Sequence, residues 1–287
     1  MKKNKTEVIR VTKEELSILE EIRQLALSSK DPKTVKRIVS HNEGSLWFIL
    51  PDPHYPYQNE PLMQKVYKCI SDNDVAGVVS SGDWLDLFTL GSYNRDSLGL
   101  LKGISLTEEY ESGKEGIVSL SQAAGGKAKK VFIWGNHEDR FFRELNTRDN
   151  AKYGDELMHP DKALELDKYG FDSLQNWKDD FYTVGDLDIM HGMYCNIHTA
   201  KKHLDMHGRS VMFGHTHRVQ THFTAHEAAF NIGCLADIPN RAFGYMPRMQ
   251  RENWSNGLAA IRVVDGRSYV EMITVRNGKF IFNGKVY

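Results

Sequence analysis

The sequence predicts an α/β (α+β) fold in which mixed β-sheets are covered by helices. From residue 46 to residue 213, short apolar runs of strand length alternate with longer segments that have helical periodicity. After residue 228, several strand-like runs follow one another with glycine-containing turns between them. Alternating strands and helices are typical of parallel pairing, whereas consecutive strands with tight turns are typical of antiparallel hairpins. Together the two patterns favour mixed sheets.

We predict that the main domain comprises residues 46–287. Apolar runs and turn residues indicate where its strands and helices lie. Apolar runs predict the strands, and longer segments with one polar face predict the helices. Gly185-Asp186, Asp265-Gly266 and Asn277-Gly278 indicate hairpin turns. The predicted strands are 46–50, 77–80, 131–134, 181–184, 187–190, 210–213, 228–232, 257–264 and 269–275, with a final hairpin at 279–287, and the predicted helices are 64–72, 107–124 and 197–207.

Residues 1–45 are polar and charged, and we predict that they form an N-terminal helical extension. Thr12 and Glu15 have the spacing of a capping box, and apolar residues at helical spacing follow them. A second short helix is predicted at 32–39, because Asp31 precedes Pro32 at its first position. The segment carries no motif with recognisable chemistry. We expect it to pack on the main domain or on a second copy of the chain, which would make an oligomer.

Five short polar motifs follow predicted strands, and each is rich in residues that bind metals. Open α/β sheets place ligand sites beyond the carboxyl ends of their strands, so we expect the motifs to converge on one rim. The motifs are Asp52-Pro53-His54, Gly82-Asp83-Trp84-Leu85-Asp86, Gly135-Asn136-His137-Glu138, His191-Gly192 and Gly214-His215-Thr216-His217. The candidate ligands are Asp52, His54, Asp83, Asn136, His191, His215 and His217.

This ligand set indicates two metal ions and chemistry on phosphate. It contains too much imidazole for calcium or magnesium alone and no thiolate for a structural zinc site. Seven candidate ligands are too many for one tetrahedral ion, but they suit two ions that share a bridging carboxylate. Two metals can clamp both the attacking and the leaving oxygen of a phosphoryl displacement. The sequence therefore predicts a metal-dependent phosphoesterase.

The order of the motifs resembles that of the calcineurin-like metallophosphoesterase superfamily. The matching patterns are DxH, GDxxD, GNHE, HG and GHTH, and they extend over roughly residues 46–275. The downstream half is similar to small stand-alone members that bacteriophages often carry, as judged by residues 214–218, 231–234, Trp254 and Gly257. The resemblance implies a four-layer αββα sandwich of two mixed β-sheets flanked by helices.

The resemblance also implies a role for each motif residue. Asp52, His54 and His217 would hold one metal, Asn136, His191 and His215 would hold the other, and Asp83 would bridge them. His137 would not be a ligand; it would protonate the leaving oxygen, and Asp86 would pair with it and favour its protonated form. The implied cofactors are two divalent ions, with manganese expected and iron, zinc and nickel as alternatives.

One departure from the family pattern bears on the substrate. Members that act as Ser/Thr protein phosphatases commonly continue GDxxD with an arginine that binds phosphate, and this chain has Leu87 there. Arg140 and Arg218, which follow the third and fifth motifs, are candidates to replace it, although each could be a solvated or structural charge. We therefore favour a phosphodiesterase acting on DNA, RNA or a nucleotide. The alternatives are a phosphomonoesterase for a phosphoprotein or small metabolite, and a non-catalytic scaffold.

Composition limits the partners and the compartment. The net charge of −1 argues against a broad basic surface for nucleic acid, although it does not exclude a local groove. The basic N-terminus has no apolar core of a signal peptide, and no apolar stretch is long enough to span a membrane. Three scattered cysteines without a CxxC pair favour a reducing cytoplasm. They are Cys69, Cys195 and Cys234.

Several aromatic and histidine residues near the motifs have two interpretations. Residues 138–182 are charged with interspersed aromatic residues, and we expect helices and loops there that cap the site. Tyr55 and Tyr57 are candidates for lining the site. Packing is the favoured role of Trp84, Trp134 and Trp177. Surface positions are expected for the histidines outside the motifs, which are His198, His203, His207, His222 and His226.

Overall fold

The computed structural model describes residues 37–40, 44–91, 105–145 and 158–287. The strands are β1 (Arg37–Ser40), β2 (Leu46–Leu50), β3 (Gly77–Ser80), β4 (Lys129–Ile133), β5 (Phe171–Leu174), β6 (Phe181–Val184), β7 (Leu187–Ile189), β8 (Val211–Phe213), β9 (Val219–Phe223), β10 (Ala228–Ile232), β11 (Gly257–Val264), β12 (Arg267–Thr274), β13 (Ile281–Phe282) and β14 (Lys285–Val286). The α-helices are α1 (Glu60–Ser71), α2 (Leu106–Ala124), α3 (Arg140–Leu145), α4 (Pro160–Ala163), α5 (Thr199–His207) and α6 (Arg248–Arg251), and two 3-10 helices lie at Phe88–Leu90 and Arg241–Tyr245.

The first sheet has six strands in the order β12-β11-β2-β3-β4-β5. Strands β2 to β5 pair in parallel, and β11 pairs antiparallel with both β2 and β12. Because β2, β3 and β4 run in the same direction, their carboxyl ends lie side by side. The first three motifs begin at these ends.

The second sheet has six strands in the order β1-β6-β7-β8-β10-β9. Strands β7 and β8 are parallel neighbours, so their carboxyl ends also lie together. The fourth and fifth motifs follow these two strands. A small hairpin of β13 and β14 forms a separate two-stranded sheet near the C-terminus.

An apolar layer joins the two sheets face to face. The rings of Trp47 from β2 and Tyr182 from β6 lie 5.6 Å apart across this layer. Other buried residues of both sheets belong to the same apolar cluster, namely Ile49, Val79, Val131, Ile133, Val184, Ile189, Met212 and Ile232. Removing this much apolar surface from water is the main force that holds the sheets together.

Helices cover the outer faces of both sheets. Helices α1 and α2 pack on the first sheet, where Met63 and Ile117 share an apolar cluster with Phe132. Helix α5 packs on the second sheet through Leu204, which lies in a cluster with Phe213. The predicted sandwich of two mixed β-sheets flanked by helices is confirmed.

The structure differs from the prediction where a capping residue sets the start of a helix and where a strand is only weakly hydrophobic. Helix α1 begins at Glu60 because the Asn59 side chain accepts a hydrogen bond from the Leu62 amide, a signal that precedes the apolar spacing. Helix α2 begins after Ser105, which forms a capping box with Glu108. Strands β5 and β9 were not predicted, because neither has a continuous apolar run.

The N-terminal extension is described only at its end. Residues Arg37–Ser40, which we had included in it, form β1 and pair in parallel with β6. The helix predicted at 32–39 is therefore wrong at its end, because residues 37–39 are extended and paired in the sheet. The helix predicted after Thr12, the rest of the 32–39 helix and the predicted part of the segment in self-association lie outside the described residues. Among the described residues, no helix is long and apolar enough to cross a membrane.

Candidate metal centre

The loops after the strands hold most candidate ligands in an unusual backbone conformation. Five of the seven have positive φ angles, namely Asp52 (43°), His54 (55°), Asp83 (49°), His215 (64°) and His217 (57°). Residues other than glycine rarely adopt this conformation, and where they do, the surrounding structure must compensate for the strain. Such strain is concentrated at functional sites in proteins.

Two glycines allow the loops to approach each other closely. A Cβ atom on Gly135 would overlap Oδ1 of Asp83, and a Cβ atom on Gly214 would overlap Oδ1 of Asp52. The glycines of the third and fifth motifs therefore make room for the carboxylates of the second and first.

The first ligand group consists of Asp52, His54 and His217, whose ligand atoms all lie within 4.8 Å of one another. Nε2 of His54 lies 3.0 Å from Nε2 of His217, and Nε2 of His217 lies 3.3 Å from Oδ2 of Asp52. All three residues are buried. Neither oxygen of Asp52 has a hydrogen-bond partner of good geometry among the described residues. Because a buried carboxylate without partners is costly, this group fits a bound cation.

The second ligand group consists of Asp83, Asn136, His191 and His215. Nε2 of His191 lies 3.0 Å from Oδ1 of Asn136, 3.1 Å from Nδ1 of His215 and 3.4 Å from Oδ2 of Asp83. The same Asp83 oxygen lies 3.8 Å from Nε2 of His54 in the first group. Asp83 therefore stands between the two groups, where one carboxylate can contact both metal positions.

Hydrogen bonds behind the imidazoles set which ring nitrogen faces the centre. Nδ1 of His54 donates to Oδ2 of Asp86 at 3.0 Å, and Nδ1 of His191 donates to the carbonyl oxygen of Ser81 at 3.0 Å. In the neutral rings, Nε2 then carries the lone pair that a metal requires. On the other side of His215, Nε2 lies 3.0 Å from Sγ of Cys195.

Burial and mutual charge shift the pKa values of these groups strongly. Burial raises the pKa of Asp52 to about 7. It lowers the pKa of His215 to about 3 and that of His217 to about 4. Burial would also lower the pKa of His191, but the carboxylates of Asp83 and Asp52 raise it to about 9. A cation that replaces the His191 proton would relieve this cluster, so metal binding should release protons.

His137 lies beside the centre but is held differently from the way we had predicted. Its Nδ1 donates to the carbonyl oxygen of Asp86 at 2.7 Å, whereas the Asp86 carboxylate lies 3.6 Å away and accepts instead from His54. Burial, followed by the charge of Arg140, holds the pKa of His137 well below its usual range. The expected Asp86–His137 pairing thus runs through the backbone carbonyl of Asp86, and the lowered pKa favours the neutral ring.

Arg140 is buried against the second and third motifs. Its NH1 donates to the carbonyl oxygens of Asp86 at 2.8 Å and Leu87 at 3.3 Å, and its NH2 donates to Nε2 of His137 at 3.0 Å. The guanidinium thus fixes the backbone of residues 86–87 and places a positive charge next to His137.

Glu138 joins the second and third motifs and had no role in our prediction. Its carboxylate accepts hydrogen bonds from the backbone amides of Asp83 at 3.0 Å, Leu85 at 2.8 Å and Gly135 at 2.7 Å. The side chain is fully buried, and burial together with Asp83 raises its pKa to about 7. Its position within GNHE was the only signal in the sequence, but two of the three amides that it binds, those of Asp83 and Leu85, belong to a distant loop.

The aromatic residues near the motifs separate into core and rim. Tyr55 is buried and stacks on Trp84, so it does not line the site. Trp84 and Trp134 are buried, in agreement with packing. Trp177 is only partly buried, and its ring lies 6.0 Å from that of His191 and 6.4 Å from that of His215. Trp177 therefore lies next to the candidate metal centre in addition to its packing role.

Two histidines expected on the surface have structural roles instead. His203 is buried, its Nδ1 donates to the Thr199 carbonyl at 2.8 Å, and its Nε2 accepts from the Met193 amide at 2.9 Å. It thereby orders the loop after the fourth motif. Nε2 of His207 lies 2.9 Å from Oδ2 of the buried Asp188. Helical periodicity could have placed His203 on the same face as Leu204 and Ala200.

Three solved structures are similar to this chain in overall arrangement. Vacuolar protein sorting 29 from Cryptosporidium parvum is 13% identical, with a TM-score of 0.40 over 86% of this chain and 97% of that chain. A candidate diadenosine tetraphosphatase is 9% identical, with a TM-score of 0.41 over 83% and 98% of the two chains. A predicted phosphoesterase from Streptococcus pneumoniae is 12% identical, with a TM-score of 0.35 over 80% and 89%.

At these identities and TM-scores, the similarity informs neither the reaction nor the substrate of this chain. No family model matches the sequence, and no curated protein matches it. The function of this chain must therefore be inferred from the geometry of the candidate centre itself.

Proposed function

We propose that this chain is a dinuclear-metal-dependent phosphoesterase, most simply a phosphodiesterase that acts on a nucleotide or nucleic acid. The observation that carries the proposal is the fully buried Asp52 carboxylate, which lacks a hydrogen-bond partner of good geometry among the described residues and lies 3.3 Å from Nε2 of His217. Asp83 lies between this group and the second one, so its carboxylate could be shared by the two proposed ions.

The residues divide between the two positions as the motif order implies. Asp52, His54 and His217 would hold one ion, Asn136, His191 and His215 would hold the other, and Asp83 would contact both. When bound, two divalent ions supply Lewis-acid polarisation of the phosphoryl group and activate a water molecule. The native ions are proposed to be manganese, with iron, zinc and nickel as alternatives, since the mixed imidazole and carboxylate set admits each of them.

His137 is proposed as the proton donor to the leaving group. In the reaction, a water molecule would release one proton to solvent as its oxygen bonds to phosphorus, the bond from phosphorus to the leaving oxygen would break, and that oxygen would take a proton from Nε2 of the protonated ring. Because Nε2 accepts from Arg140 in this structure, the ring must first gain a proton from solvent while the guanidinium turns away. The bond from Nδ1 to the Asp86 carbonyl keeps Nε2 directed away from the loop. A phosphate anion next to Nε2 would favour the protonated ring, because negative charge stabilises imidazolium.

The surroundings of residue 87 favour a diester over a monoester. Leu87 is fully buried and apolar, so it offers no charge to a phosphate dianion. NH1 and NH2 of Arg140 already donate to two carbonyl groups and to His137. A diester carries one negative charge fewer than a monoester dianion, so its binding requires fewer positively charged side chains.

One observation favours the phosphomonoesterase alternative. The Arg140 guanidinium lies 3.0 Å from Nε2 of His137, so a positive charge stands where a phosphate would approach. If Arg140 turned from the carbonyl oxygens toward substrate, it would replace the arginine that is absent at position 87.

Two finer predictions remain part of this proposal. The free cysteines Cys69, Cys195 and Cys234 support the cytoplasm as the compartment. The likeness of residues 214–257 to phage-borne phosphoesterases stays a prediction from the sequence.

A metal-supplemented activity screen tests the proposed function. Purified protein with manganese should hydrolyse bis-p-nitrophenyl phosphate and a labelled oligonucleotide faster than p-nitrophenyl phosphate or a phosphopeptide panel. Rapid turnover of monoesters with no turnover of any diester would replace the diesterase with the monoesterase. No turnover of either class with any of the four metals would contradict a phosphoesterase.

A further inference from the structure

A pocket of about 230 Å³ opens directly beside the metal centre. His215, a candidate ligand, forms part of its wall, and Arg218 continues the wall from the fifth motif. The opposite side comes from the segment around α6, through Met246, Gln250, Asn253 and Trp254. A substrate whose phosphate lies at the metal centre could therefore extend a second chemical group into this pocket.

We infer that this pocket binds the nucleobase of a nucleotide ester whose phosphate lies at the metal centre. The inference rests on the proposed function for the position of the phosphate and adds the identity of the group next to it. Four features of the wall support it: a fixed aromatic ring, two amide side chains, a cation without an accompanying carboxylate, and a limited volume.

Trp254 supplies the aromatic surface. Its ring lies 4.2 Å from the ring of His217 and 5.5 Å from that of Phe243. These contacts hold the indole between a candidate metal ligand and the pocket that it lines. Stacking on an aromatic side chain stabilises a bound base by about 1–3 kcal/mol and suits any base.

Gln250 and Asn253 supply donors and acceptors for a base edge. Both side chains are exposed and line the pocket. Nδ2 of Asn253 donates to the carbonyl oxygen of Met249 at 3.2 Å, which orients the amide and leaves Oδ1 as an acceptor. Side-chain amides are the groups that most often recognise adenine edges, because they offer a donor and an acceptor together.

Arg218 gives the pocket its charge. Its NH2 donates to the carbonyl oxygens of Cys195 at 2.9 Å and Asn196 at 3.1 Å, so the guanidinium is held at the wall. No carboxylate lines the pocket among the described residues. A single cation next to a metal pair suits a phosphate that connects the base to the centre, and it would repel a basic peptide.

The volume favours one base over a large ligand. About 230 Å³ lies below the range of about 300–1,000 Å³ that is typical of sites enclosing drug-sized ligands. A phosphopeptide would instead need a longer groove for its backbone and neighbouring side chains.

The first test measures binding without turnover. Isothermal titration calorimetry with adenosine 5′-monophosphate would be performed on the manganese-loaded protein. Gln250→Ala and Asn253→Ala should each raise the dissociation constant about tenfold, because each removes a polar contact with the base. Met249→Ala is the matched control, since Met249 is exposed on α6 and does not line the pocket.

The second test measures selectivity. The ratio of kcat/KM for thymidine 5′-p-nitrophenyl phosphate to kcat/KM for bis-p-nitrophenyl phosphate should fall about tenfold in each of the variants Gln250→Ala and Asn253→Ala, because only the first substrate has a base. An unchanged ratio together with unchanged nucleotide affinity would overturn the inference. Loss of phosphopeptide affinity without loss of nucleotide affinity would also overturn it, since the pocket would then serve a protein substrate.

The two tests separate this inference from the proposed function. Suppose that the wild-type protein hydrolyses no phosphoester but binds the nucleotide more tightly than Gln250→Ala and Asn253→Ala do. The pocket assignment then holds, and the proposed phosphoesterase function is wrong. If diesters are hydrolysed but nucleotide affinity and selectivity do not respond, the phosphoesterase holds and the pocket assignment fails.

Discussion

The Asp52 carboxylate is fully buried, and the backbone of Asp52 itself has a strained φ of 43°. Its Oδ2 lies 3.3 Å from Nε2 of His217. A protein built only for stability would replace such a carboxylate, because burying a charge without partners is costly. A cation makes the same residue favourable. At the residue scale, this unfavourable burial of a carboxylate is thus what supports a candidate metal centre.

His137→Ala separates proton donation from metal binding. The side chain lies beside the centre but its ring nitrogens contact the Asp86 carbonyl and Arg140, so both metals should remain. Turnover of bis-p-nitrophenyl phosphate should fall about 10²- to 10⁴-fold, the usual contribution of general acid catalysis. Metal content by mass spectrometry and kcat are measured on the same preparation. Loss of both metals in this variant would show that His137 is itself a ligand.

Glu138→Gln tests the connection between the second and third motifs. Glutamine has one acceptor oxygen, whereas the Glu138 carboxylate accepts from the amides of Asp83, Leu85 and Gly135 through both oxygens. At pH 8, above its pKa of about 7, the variant should lose about 1–3 kcal/mol of unfolding free energy, since at least one buried amide loses its acceptor.

Urea denaturation of the metal-loaded protein measures this loss. Glu111→Gln is the matched control, because Glu111 lies on an exposed position of α2. Equal stability of Glu138→Gln and wild type would mean that the carboxylate is not needed to hold the two loops together.

At the element scale, parallel strands deliver the ligands and could be predicted from the sequence. Strands β2, β3, β10 and β11 have the predicted bounds, because most residues of each are apolar. Strands β5 and β9 were missed, since both contain polar, half-buried residues that a loop would also show. Edge strands of this kind are determined by pairing with a neighbour, which the sequence does not display.

The sequence predicted which candidate ligands lie near one another but not the hydrogen bonds that connect their loops. The seven candidate ligands come together in two groups because they follow neighbouring strand ends. By contrast, different loops are joined by the hydrogen bond from His54 to Asp86 and by the hydrogen bonds that Glu138 accepts from the amides of Asp83 and Leu85. These contacts depend on loop backbones with positive φ, which residue type alone does not indicate.

Glu109 connects α2 to the 3-10 helix that follows Asp86. Its buried carboxylate accepts from the Phe88 amide at 2.7 Å and from Oγ1 of Thr89 at 2.8 Å. Burial, followed by the charge of Asp86, raises its pKa from 4.5 to about 7. The unfolded chain therefore releases this proton at lower pH than the folded protein does.

This pKa makes stability depend on pH in a predictable direction. As pH rises from about 4.5 to about 7, Glu109 lowers the unfolding free energy by up to about 3 kcal/mol, and the loss is complete above that window. Glu109→Gln has no such proton and can still accept from Phe88 and donate to Thr89. Urea denaturation of the metal-free protein at pH 5.5 and 8 should show the variant gaining stability relative to wild type at the higher pH. A constant difference would contradict the raised pKa.

At the scale of the whole molecule, the centre joins the two sheets. Asp52, Asp83 and Asn136 follow strands of the first sheet, while His191 and His215 follow strands of the second. Ions held by both sets would therefore link the sandwich at one edge.

Chelation should lower the thermal stability of the whole domain. At a free metal concentration of 100 times the dissociation constant, each bound ion adds about 2.7 kcal/mol to the unfolding free energy, so two ions add about 5 kcal/mol. For a chain of this size, removing both ions should lower Tm by about 10–20 °C. Differential scanning calorimetry with and without a chelator measures the shift. Asp83→Asn serves as the control, because a variant that no longer binds two ions should respond much less.

The most direct test of a dinuclear centre is the number of metal ions per chain. The protein would be saturated with manganese, separated from free metal and measured by inductively coupled plasma mass spectrometry. Wild type should carry two ions per chain, and Asp83→Asn should carry fewer, because it loses the carboxylate that stands between both groups. One ion or none in the wild-type protein, or two ions retained in Asp83→Asn, would contradict a centre bridged by Asp83.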